Sequence, residues 1–266
     1  MKCIQQFGMA AVFMLGAVGS ASGAAPDADL LKQLAPTGTL RVGIAYAPSS
    51  TPIFVQKDPD GNVRGAPHDI GIALAKALGL RAQIVLKATT AELADGLQSG
   101  EIDVGFMPVD DERRKILDFS PPYFFIECTY LVAASSDIRT LAEVDHPEVT
   151  VVGISGSTTF RAAGKILTRA HMMAAKSVDE AMATMRSGTA QALALTHDSL
   201  PALQSQLPGS RILDGAFKVN GVAIALQKGH PAALAYVTDF MAGAKSNGTI
   251  RRAFDDAGLA SIAVAP

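Results

Sequence analysis

Arg113 follows an apolar strand expected over 102–107 and an acidic turn of Asp110, Asp111 and Glu112. A guanidinium held there can grip a carboxylate through two parallel hydrogen bonds. It could equally pair with Asp110 or Glu112 at the surface, as Arg114 and Lys115 are placed to do. A second candidate is the loop Gly156-Ser157-Thr158, which leads into a helix with apolar positions. Free backbone N–H groups at a helix start attract negative charge, and the two hydroxyls add donors. The same loop could be a plain helix cap. It is not a P-loop, because no lysine follows the glycine at the required place, and GISGST is not a G-x-G-x-x-G dinucleotide fingerprint. If the two candidates face each other, three or four desolvated charge-assisted hydrogen bonds, at about 1.5–3 kcal/mol each, suit micromolar or tighter capture of a carboxylate.

The elements that must position them alternate between helix and strand. A buried strand is expected over 40–45, an alternating one over 81–86 and further strands over 149–153, 190–195 and 220–227, with helices over 69–78, 160–167 and 230–244 and a short one near the end. Residues 46–64 read as a Pro-, Ser-, Asp- and Gly-rich loop, and 26–38 as a polar lead. One unit occurs twice. Thr89-Thr90-Ala91-Glu92 and, 88 residues later, Ser177-Val178-Asp179-Glu180 each form a capping box. Each glutamate lies seven residues before a Ser-Gly helix stop, and a strand follows. The repeat predicts two similar α/β lobes in helix-and-sheet layers. Ligands collect beyond the carboxyl ends of strands in such sheets, where both candidates fall.

The chain has 266 residues, 48% hydrophobic and 18% charged, which is ordinary globular composition with room for one large or two small cores. A net charge of −2 without a basic cluster argues against nucleic acid as a partner. Lys2, a 12-residue apolar run over 8–19 and the small residues up to Ala24 read as a signal peptide over 1–24. That run is too short to span a bilayer, which takes about 20 apolar residues. Export is therefore expected. Cys3 would leave with the signal, so Cys128 has no disulfide partner and reads as a small buried hydrophobe. No His/Cys spacing suggests a metal, and no cofactor is expected. The five histidines, among them His68 and His230, are scattered.

Residues in matching order now carry a resemblance. They are Gly38-Thr39-Leu40-Arg41-Val42-Gly43, Asp69-Ile70 with Ile72-Ala73, and Leu97 with Ser99-Gly100-Glu101-Ile102-Asp103-Val104. Glu112-Arg113 with Asp118-Phe119-Ser120 and Pro122-Tyr123, Val152-Gly153 with Gly156-Ser157-Thr158, and Asn247-Gly248-Thr249-Ile250 complete the set. The chain resembles the periplasmic solute-binding proteins of family 3, which feed polar amino acids to ABC transporters. The resemblance implies an α/β fold of the two-lobe periplasmic binding protein type (type II-like), its lobes joined by two crossing strands near 124–130 and 216–221. Lobe 1 would comprise 25–126 and 219–266, and lobe 2 would comprise 127–218. It implies a monomer in the periplasm that holds a small-molecule ligand, an amino acid or organic acid, and delivers it to a membrane permease.

The family arginine on the ligand α-carboxylate maps to Arg113, and the family threonine maps to Thr158 with Ser157 beside it. Small hydroxyl residues usual before the arginine turn are replaced by Met107 and Pro108. The second-lobe aspartate that holds an α-ammonium in many members is Thr196 by spacing, with Asp198 two residues on. Tyr46 is the candidate to cover the ligand. Some relatives are dehydratases of small cyclic acids, so an exported lyase on the same scaffold is the alternative. Glu127 is its nominated acid or base, although it could equally be a hinge residue bonded to backbone. A ligand-sensing role through a separate partner is a third possibility.

Overall fold

A computed structural model describes residues 27–46, 51, 53–57 and 62–266. The expected signal peptide and Cys3 lie outside the described residues. The chain begins with α1 (Ala28–Leu34), β1 (Thr39–Ala45), the short hairpin β2 (Gln56–Lys57) and β3 (Val63–Arg64), then α2 (Ala66–Ala77). Next come β4 (Arg81–Lys87), α3 (Thr90–Gln98), β5 (Val104–Pro108), α4 (Asp111–Ile116), β6 (Leu117–Phe119) and β7 (Phe124–Val132). The second part holds β8 (Thr150–Ile154), α5 (Thr158–Ile166), β9 (His171–Ala175), α6 (Val178–Arg186), β10 (Ala192–Thr196), α7 (Leu200–Gln204) and β11 (Arg211–Ile212). The chain then returns through β12 (Lys218–Gln227) to α8 (Pro231–Ser246) and α9 (Thr249–Asp256).

The main sheet runs β4-β1-β5-β12-β7-β10-β8-β9. Strand β1 is parallel to β4 and β5, and β8 is parallel to β9 and β10. Two long strands join these parallel groups. Strands β7 and β12 pair antiparallel from Lys218↔Cys128 to Val222↔Phe124. Buried apolar clusters divide at those strands. Two clusters draw on residues up to Ile126 and from Val222 onward. The other two draw on residues from Tyr130 to Phe217. The molecule is thus a pair of α/β lobes joined by two crossing strands.

Both halves of the internal repeat fold alike. Thr89 caps α3 by accepting from the Glu92 N–H (3.1 Å), and Ser177 caps α6 by accepting from the Glu180 N–H (3.2 Å). The glutamates reach back to the N–H groups of Ala88 (3.2 Å) and Lys176 (2.7 Å). These boxes satisfy donors that a helix start leaves unpaired.

The stretch read as a polar lead is partly helical. Leu30 and Leu34 stand four apart, so α1 has one apolar face that packs against α8, and Asp27 caps it. The acidic turn before Arg113 is also a short helix, α4, because Asp110 accepts from the Arg113 N–H (2.9 Å) and caps it. Helix α2 starts earlier than its apolar face suggested, with Pro67 in its first turn, where a missing N–H does no harm.

Candidate functional site

Between the lobes lies a cavity of about 320 Å³. Its lobe 1 wall includes Ala45, Tyr46, Phe54, Ala88, Thr89, Thr90, Glu92 and Pro108, and its lobe 2 wall includes Ser155, Ser157, Thr158, Thr159, Ser177 and Thr196. Three helices of nine residues, α3, α5 and α6, begin on this cavity through their caps Thr89, Ser157 and Ser177. Each aligned helix places about half a positive charge at its start, so the hollow is electropositive by backbone alone. Ser157 accepts from the Phe160 N–H (3.0 Å), so its hydroxyl is a cap as well as a lining group.

Thr158 lies on the cavity surface and Arg113 lies directly behind it. Arg113 is 3% exposed and does not itself line the hollow. Its Nη1 donates to the Pro108 carbonyl (2.9 Å) and to Thr158 Oγ1 (2.9 Å). Its Nη2 donates to Thr90 Oγ1 (2.7 Å) and the Gly156 carbonyl (3.4 Å). Two of these oxygens belong to each lobe, so the guanidinium spans the interface. Burial, with Arg161 close by, lowers Arg113 to about 10 against the pull of Asp110, leaving it charged at neutral pH.

Further contacts cross between the lobes. Arg161 on α5 donates across the interface through Nε (3.1 Å) and Nη2 to Asp110 Oδ2, and within its own lobe through Nη1 to the Gly156 carbonyl (2.7 Å). Lys165 pairs with Asp111 (3.3 Å). Thr51 donates to Asp198 Oδ2 (3.2 Å). Burial works to raise Asp110, but the Arg113 N–H, the Arg161 guanidinium and the Thr158 hydroxyl outweigh it and hold the carboxyl below its usual range. Gly156, at φ +68°, approaches so closely that a Cβ there would lie 2.9 Å from the Ala91 Cβ. These lobes are closed on each other.

The other expected site residues divide. Tyr46, 45% exposed at the end of β1, and Pro108 line the cavity. Thr196, ending β10, also lines it and donates to Ser199 Oγ (3.1 Å). Met107 does not line it. Strand alternation turns Met107 away from Phe106 and into a buried cluster with Leu93, Leu97 and Ile102, so it is a core residue. Asp198 is likewise off the cavity surface, in a tight turn after β10. Its Oδ2 accepts from Thr51 and Ser199, and its Oδ1 is buried with no partner among the described residues. Burial raises its pKa, with the surrounding hydroxyls only partly opposing. Glu127, nominated for the lyase alternative, is exposed on β7 and does not line the cavity. Cys128 is a buried free thiol with its Sγ 3.3 Å from Thr159 Oγ1.

Several lining residues were not foreseen, chiefly Thr89, Thr90 and Ser177. Their signal was present, since both capping boxes follow the carboxyl ends of parallel strands, β4 and β9, where ligands gather. Arg161 carried no comparable signal.

Comparison with known proteins agrees with this arrangement. The family described as bacterial extracellular solute-binding proteins, family 3, matches residues 40–257. A glutamine-binding protein of Geobacillus stearothermophilus is 31% identical over 192 residues, covering 70% of this chain and 72% of that protein. The ABC transporter glutamine-binding protein GlnH of Bacillus subtilis is 26% identical over 205 residues, 75% of each. An ancestral amino-acid-binding protein, a precursor of cyclohexadienyl dehydratase, superposes with a TM-score of 0.69 at 29% identity, over 85% of this chain and 98% of that one. With a profile match over most of its length and this two-lobed cavity, the chain belongs to family 3 of the bacterial extracellular solute-binding proteins.

Proposed function

We propose that this chain is an exported periplasmic protein that captures a small carboxylate-bearing solute, an amino acid, between its lobes and presents it to an ABC permease. Residues 25–126 and 219–266 act as lobe 1 and 127–218 as lobe 2, with 1–24 as the export signal. The protein works as a monomer, without a cofactor and without chemistry on its solute. The observation that carries this reading is the interlobe hollow where Thr158 is backed by the Arg113 guanidinium. The solute carboxylate settles at the start of α5, against Ser157 and Thr158. When the lobes part, Thr158 and Gly156 leave Arg113, and the guanidinium meets the incoming anion first. Closure then brings the second-lobe donors onto the same group. The relatives named as glutamine-binding proteins support an amino acid as the solute class. Glu127 stands outside the hollow, so the carboxylate nominated for a lyase is not placed to act on the solute.

Calorimetry against a panel of amino acids tests this reading. Arg113→Ala weakens binding by about 2–4 kcal/mol, because it removes the cation that meets the incoming anion in the open form and backs Thr158 in the closed one, and the solute is recovered unaltered after incubation. Full affinity in Arg113→Ala, or turnover of the solute, contradicts it.

A further inference from the structure

The two walls made by the internal repeat differ at one telling position, and the difference bears on which carboxylates the cavity takes. This inference rests on the capture reading. Ala88 and Lys176 occupy the same place in the two capping boxes, each giving its backbone N–H to the box glutamate. Both line the cavity, one from each lobe. One wall therefore carries an alanine where the other carries a lysine.

Among the described lining residues, Lys176 is the sole side chain with a formal positive charge. It is exposed, and its ammonium makes no ion pair or hydrogen bond among the described residues. The other cations near the cleft are engaged: Arg113 by four protein oxygens, Arg161 by Asp110 and Gly156. Two carboxylates also line the cavity, and each has a local counterpart. Glu92 accepts from the Ala88 N–H and the Thr89 hydroxyl (each 3.2 Å). Asp179 stands in the first turn of α6, where a helix start favours negative charge. The donors left for a solute are thus the neutral ones, N–H groups at the helix starts and hydroxyls of the walls, and a single charged one, the Lys176 ammonium. A monocarboxylate uses only the first.

We propose that Lys176 determines specificity by pairing with a second anionic group of the solute, so that the cavity selects small dicarboxylates, including amino acids with an acidic side chain, over neutral monocarboxylates. Wild type, Lys176→Met and Lys176→Glu are titrated calorimetrically with glutamate, with glutamine as its neutral isostere, and with glutarate as the same diacid without an amine. Wild type is expected to bind glutamate at least about tenfold more tightly than glutamine, a factor of ten being about 1.4 kcal/mol. Lys176→Met brings that ratio towards one while glutamine affinity holds, and Lys176→Glu reverses it. Melting temperatures stay unchanged, because Lys176 contributes only its backbone to the capping box. A wild type that prefers glutamine, or a preference for glutamate that survives in Lys176→Met, overturns the assignment and leaves the capture reading standing. A wild type that binds no carboxylate solute removes both.

Discussion

Removing Arg161 opens the molecule. Its guanidinium joins α5 of lobe 2 to Asp110 of lobe 1, and the two side chains are 26% and 14% exposed. Exposed ion pairs contribute about 0.2–1 kcal/mol, and breaking a buried pair costs about 3–5 kcal/mol. This half-sheltered pair falls between them, at about 1–2 kcal/mol for Arg161→Ala, or roughly a 5- to 30-fold change in the closed-to-open ratio. Because capture needs the closed form, apparent affinity weakens by no more than that factor. Small-angle scattering without solute reads the opening as a larger radius of gyration, and calorimetry reads the affinity. Arg41→Ala is the control. Arg41 pairs with Asp103 (Nε to Oδ2, 3.0 Å) with similar shelter, but entirely inside lobe 1. It therefore lowers the melting temperature without enlarging the molecule. Salt gives a second check, since the screening length shrinks from about 10 Å at 0.1 M to about 3 Å at 1 M. High salt loosens wild type more than Arg161→Ala. Acid acts in the same direction. Asp110 is held below the usual carboxylate range when closed, so its contribution is full above that range and is lost as pH falls through its depressed value. An Arg161→Ala protein with wild-type scattering and affinity would refute the latch.

Gly156→Ala places a Cβ 2.9 Å from Ala91 across the interface and adds about 1–2 kcal/mol of left-handed backbone strain. Affinity should fall by more than the loss in melting temperature accounts for, and unchanged affinity would show that the lobes need not approach so closely. Asp198→Asn is expected to raise the melting temperature at neutral pH, because burial raises the Asp198 pKa and leaves Oδ1 without a partner among the described residues. A raised pKa means that stability falls as pH climbs from the ordinary carboxylate value through the shifted one. The gap between variant and wild type should therefore vanish on acidification, and a gap independent of pH would rule this out.

The local units were legible because they obey short-range rules. Capping boxes at Thr89 and Ser177 are written in four consecutive residues each, and both formed as read. The crossing strands were anticipated from the family resemblance, within a few residues of β7 and β12. Helix α1 was overlooked because Leu30 and Leu34 gain their apolar setting by packing against α8, some 200 residues later. Met107 lies off the cavity because β5 is buried on both faces, with Phe106 in one core cluster and Met107 in another, so alternation opens neither side to the hollow.

For the site, the residues themselves fixed that Arg113 and Thr158 would be polar groups at strand ends and helix starts, since caps and strand termini depend on near neighbours. Tertiary structure alone decided that they touch, that Arg113 lies behind Thr158, and that Arg161 reaches Asp110. Those pairs are 45 and 51 residues apart in sequence. No local pattern specifies a distance across a hinge, because the angle between two lobes is set by the sum of contacts on both.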